Sequence, residues 1–152
     1  MKFQKFLPIS LMFLSISFTA HADEPGRHPS YIHALSDLGA ANWMVTHRRP
    51  EDGAIGAEER NMIEEIGAAY KEIEQSAIKD GKPIDRHMAQ DRVVETNGRM
   101  HNALALLQKA HDDVAREEDD ASTQGLQDRA LRHIDAAIRL AERVITQADP
   151  HR

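Results

Sequence analysis

Four stretches of this chain carry apolar side chains at the three-and-four spacing of a helix. None alternates β-branched and aromatic residues in the manner of a strand. The first stripe is Tyr31, Leu35, Leu38 and Val45, with Pro29 suited to an opening turn. The second is Met62, Ile66, Tyr70, Ile73 and Ala77; it stops at Gly81, with Pro83 just beyond. The third is Val93, Met100, Leu104, Leu107 and Val114. The fourth is Leu126, Ala130, Ile134, Ala137, Ala141 and Val144, preceded by the capping candidates Ser122 and Thr123. These patterns predict helices over about 30–47, 57–80, 91–117 and 123–148. The connections are short enough to join antiparallel neighbours. The expected fold is all-α, an up-down four-helix bundle forming one domain over residues 23–152.

Residues 1–22 read as a secretory signal. Lys2 and Lys5 give a positive start, and Leu7 to Phe18 is an apolar run interrupted by Pro8, Ser10, Ser15 and Ser17. Ala20-His21-Ala22 then supplies the small residues of a cleavage site. The run is shorter than the ~20 residues a membrane-spanning helix needs. A mature chain of 130 residues starting at Asp23, soluble in the periplasm or secreted, is expected. It contains no cysteine, which removes disulfides, a lipid-bearing N-terminal Cys, covalent haem attachment and thiolate zinc sites. Residues 1–22 hold two of the nineteen basic side chains and no acidic one, so cleavage takes the formal charge from −6 to −8. That balance argues against nucleic acid or an anionic membrane as partner, since both require a basic footprint.

The first helix differs from the others. Between Ser30 and His47 its one formally charged side chain is Asp37, whereas the other three helices carry dense charged faces. A helix nearly uncharged all round calls for cover on more than one side. On a helical wheel its outer side is expected to carry His33, Asp37, Ala40 and Met44, with Trp43 at the margin. The face is explained either by deep placement in the bundle or by a surface for a second copy or another protein.

Eight histidines remain after signal removal: His28, His33, His47, His87, His101, His111, His133 and His151. In an acidic chain without thiols, histidine and carboxylate are the available ligands for copper, zinc or nickel. No two histidines lie three or four apart; within the predicted helices His33 and Asp37 are the one His/carboxylate pair at that spacing. Glu-x-x-His and His-Glu-x-x-His are both absent. A metal site must then be assembled between helices. Counting levels along helices 1, 3 and 4 selects His33, Asp37, His101 and His133 as candidate ligands. A non-covalent haem held by His111 or His133 with Met44 or Met100 is a further arrangement open to a bundle. The acidic run Glu117 to Asp120 lacks the spacing of a calcium loop and reads as a solvated cap before helix 4. No nucleophile motif or glycine-rich phosphate loop is present, so a non-enzymatic protein is expected.

The run Arg129-Ala-Leu-Arg-His133-Ile-Asp-Ala-Ala-Ile138 resembles the His-Ile/Leu-x-x-Ala-Ile helix of the small metal-binding proteins of bacterial periplasms. Those are short, cysteine-free, histidine-rich helical proteins that bind divalent metals such as copper. The opening His28-Pro-Ser-Tyr-Ile-His-Ala-Leu-Ser-Asp-Leu38 also resembles the start of a group of exported bacterial helical proteins. The resemblance implies metal binding or buffering, with His133 as the residue that matches the helix motif. The competing expectation is an interaction or chaperone-like bundle that uses helix 1.

Overall fold

A computed structural model of the chain describes residues 29–47, 53–81, 98–116 and 120–148. Among them the regular elements are four helices: α1 (Pro29–Thr46), α2 (Ala57–Lys79), α3 (Arg99–Val114) and α4 (Ala121–Ala148). Residues 1–22, expected to be a signal, and His28, His87, Val93, Glu117 to Asp119 and His151 lie outside the described residues. No described helix is long and apolar enough to cross a membrane.

Local chemistry sets the ends of the helices. Glu58 and Glu59 place negative charge in the first turn of α2, and Glu59 Oε2 accepts from the Gly56 N–H at 2.8 Å. At its other end Gly81 takes φ +69, and its N–H donates to the Ile78 carbonyl at 3.0 Å. A β-carbon is disfavoured at that φ, so the predicted stop at Gly81 is observed. The N-cap of α4 is Asp120, whose Oδ1 accepts from the Ser122 N–H at 2.8 Å. Ser122 and Thr123, expected to cap, instead lie inside the first turn. The third helix starts later than expected. Gly98 has φ +85, which no continuous helix from residue 91 accommodates, and α3 begins at Arg99.

α2 lies along α4 and α1 along α3, while α1–α2 and α3–α4 contacts close the ring. The core is the set of stripes turned inward: Leu38 and Val45 from α1, Met62, Ile66 and Ile73 from α2, Leu107 and Val114 from α3, and Ile134 from α4. Alanines 34, 41, 69, 77, 103, 110, 130, 137 and 141 are buried between them, which lets the helices approach closely. Four of the described stripe positions sit further out than expected: Tyr70 is 37% exposed, and Met100, Leu104 and Val144 are only partly buried.

The all-α four-helix bundle is the fold observed. Its helix directions add a feature that periodicity does not carry. Arg99 at the start of α3 bonds to Met44 and Val45 at the end of α1 and to Glu59 at the start of α2. Lys79 at the end of α2 and Val114 at the end of α3 both bond to the start of α4, at Ser122 and Gln127. α2 and α3 therefore run the same way rather than antiparallel as expected of an up-down order, and the chain between Gly81 and Gly98 joins opposite ends of the bundle. The later start of α3 lengthens that connection to a crossover, which a parallel pair requires.

Candidate functional site

Polar side chains knit the helices together at their ends. The last carbonyls of a helix lack intrahelical donors, and α1 has no basic residue in its last turn. Arg99 of α3 supplies the missing donor. Its Nη1 reaches Met44 O at 2.6 Å and Val45 O at 2.9 Å, while Nη2 pairs with the buried Glu59 at 3.5 Å. One guanidinium thus binds three helices and puts positive charge at the negative end of α1. Gln127 of α4 serves α3 in the same way: its Nε2 donates to Val114 O and Arg116 O, each at 2.7 Å.

The α2–α4 seam carries a charged ladder. Glu58 meets Arg143 at 3.2 Å, Glu65 meets His133 at 2.6 Å, Glu72 meets Arg129 at 2.9 Å, and Lys79 Nζ reaches Ser122 O at 3.3 Å. The α2 members recur every seventh residue, the repeat that keeps one edge of a helix against one partner. That heptad of Glu58, Glu65, Glu72 and Lys79 is legible in the sequence, and histidine counting passes over it. The Arg129 hydrogen bonds hold the Glu72 carboxyl below its ordinary range, and Glu72 in turn raises the Arg129 guanidinium. Arg129 is exposed and Glu72 only partly buried, so solvent screens the rung and it sets register more than stability.

The four candidate ligands are placed apart in their bonding. His33 and His101 are exposed. Asp37 is 2% exposed and faces Lys109 of α3 at 3.4 Å. His133 donates from Nδ1 to Glu65 on α2. Among the described residues no group of three or more His, Asp or Glu side chains is arranged to hold a metal ion. His111, one of the haem candidates, lies at the α3–α4 edge, 3.5 Å from Asp135 and 3.6 Å from Asp112. Met44 and Met100 pack partly buried on the core.

The outer face of α1 is rotated from the expected one. Asp37 turns inward because α3 brings the Lys109 amine to it, and Met44 is partly covered by the core. Trp43, expected at the margin, is 52% exposed instead. It stacks on His47 with ring centroids 4.6 Å apart and an interplanar angle of 18°. With Asp37 buried, no formally charged side chain of α1 remains on this face. Ile32, Ser36, Gly39 and Trp43 follow one another at the four-three-four spacing of a helix–helix seam. A β-carbon built at Gly39 meets nothing within 4 Å, so the middle of the seam is open.

The molecule is an all-α bundle with charged edges, interhelical caps and an outward aromatic on an uncharged helix face. No protein-family model, curated protein or solved structure matches the chain.

Proposed function

We propose that the chain is exported, loses residues 1–22, and works without catalysis by holding another protein against the outer face of α1. The observation that carries this reading is Trp43. A large aromatic that is half exposed and stacked on His47 sits on a face without formal charge. Exposed tryptophan is costly in water and dominates the binding energy of interfaces where it occurs. The signal-like residues 1–22 support export.

The test is surface-specific cross-linking in cells that export the chain. A photoactivated residue at Ala40 on α1 is expected to give a discrete protein adduct, and the same residue at the exposed Arg139 of α4 is expected to give none. Equal labelling from both positions, or none from Ala40, overturns the reading.

A second reading, binding of copper, zinc or nickel, is favoured by the Glu65–His133 contact. A carboxylate on one ring nitrogen of a histidine directs the other nitrogen's lone pair outward, as in the supporting shell of many metal sites. Calorimetric titration of the purified chain decides it. Saturable stoichiometric heat that disappears in His133→Ala and survives in His47→Ala is the expected result of that reading, and its absence for all three metals removes it.

A further inference from the structure

Resting on the α1 reading, we infer that His47 makes this face responsive to pH: a proton taken up at its Nε2 sets a positive charge against Trp43, and the hold on another protein loosens. The Thr46 hydroxyl fixes where that proton goes. Its Oγ1 lies 2.8 Å from the Asn42 carbonyl and 3.3 Å from the Trp43 carbonyl. Both are acceptors, so the one hydroxyl hydrogen is committed to them. Oγ1 also lies 3.1 Å from His47 Nδ1, and in that contact Nδ1–H is the donor. Neutral His47 is left with the Nε2 lone pair open, on an exposed side chain. A proton added at Nε2 disturbs neither the Thr46 bond nor the stacking on Trp43, since an indole face attracts a cation. Protonation therefore changes the charge of the ring and not its place.

Histidine is the side chain that ordinarily changes charge between about pH 5 and 8. The His47 ring is 4.6 Å from the indole, so that change is felt where the face is most apolar. The ionisable groups that share this end of the bundle are Glu58, Glu59 and Arg60 of α2 and Arg99 and His101 of α3, with Arg48 and Arg49 next in the chain. Glu58 pairs with Arg143 and Glu59 with Arg99. His33, the other histidine of α1, is ten residues from Trp43, about 15 Å along the helix. A surface that covers indole and imidazole together has to strip water from a charged ring, and this face offers no carboxylate in return. Binding and protonation then oppose each other, so affinity falls as pH falls.

Trp43 is the sole tryptophan of the chain, so quenching of its fluorescence reads the charge beside it. Iodide and caesium are drawn to opposite charges, and acrylamide to neither. At constant ionic strength, going from about pH 8 to about pH 5 is expected to raise iodide quenching and lower caesium quenching. Each change is expected to be about twofold beyond that in His47→Gln, the effect of one charge about 5 Å away in screened water. The variant keeps every other titrating group. It also keeps the backbone bond from residue 47 to Trp43 O, so the fold is retained. Matching profiles in parent and variant overturn the inference. Acrylamide quenching that rises on acidification of the parent alone overturns it too, because the ring pair would have come apart. The Ala40 adduct is expected to be lost on the same acidification in the parent and kept in His47→Gln. An adduct equal at both pH values overturns the regulation and leaves the α1 reading standing. No adduct at either pH removes the α1 reading and the loosening with it, while the quenching result still decides the charge at Trp43.

Discussion

Leu107→Ala destabilises the bundle by about 2–5 kcal/mol, the range for truncating a fully buried leucine. Leu107 is 0% exposed and belongs to the central cluster with Leu38, Ile66, Ile73 and Ile134. The lost term has two parts: the transfer of the deleted methyl groups, and the cavity that α3 cannot close. Closing it would require α3 to move toward the diagonal helix α2, and that would pull Arg99 away from α1 and Val114 away from Gln127. Equilibrium unfolding in urea reads the change as a lower midpoint at unchanged slope. Leu104→Ala, one turn earlier on the same stripe but only partly buried, gives a clearly smaller loss. Equal losses at the two positions would contradict the placement of α3.

Arg99→Ala costs about 2–4 kcal/mol, large for a side chain that is partly exposed. The substitution withdraws donors from two carbonyls at the end of α1 and takes the guanidinium from Glu59, whose side chain is 8% exposed. Arg99→Lys recovers only part of the loss, because an ammonium cannot span two carbonyls and a carboxylate with one planar fork. Hydrogen exchange locates the damage: protection falls first in the last turn of α1, at Val45 to His47. Loss spread evenly over all four helices, with α1 no worse than α4, would mean that Arg99 acts only through general stability.

The legible and illegible parts of the structure divide by distance along the chain. Leu38, Ile66, Leu107 and Ile134 are recognisable as core from their neighbours three and four positions away, and all four are buried. Gly81 and Pro83 mark the end of α2 for equally local reasons. Asp37 is illegible in that way. Its own helix places it beside His33 on an outer face, and Lys109, seventy-two positions later, turns it inward. The Arg99 cap is of the same kind, reaching Val45 across fifty-four positions. Height along three helices groups His33, Asp37, His101 and His133 as candidate ligands. Height fixes neither the rotation of each helix nor its neighbours, and Asp37 and His133 found Lys109 and Glu65 instead.

The sequence by itself determined the class of fold, the number of helices and the apolar side of each, because helical period and end signals act over one or two turns. It also carried the uncharged character of α1. The tertiary structure alone decided that α2 and α3 run parallel across a diagonal, that Glu58, Glu65 and Glu72 line the α4 seam, and that Trp43 rather than Asp37 faces outward. A helix's pattern states how much of it must be covered. Which neighbour covers it depends on the rotation and direction of the other helices, and these are settled only when all four pack at once.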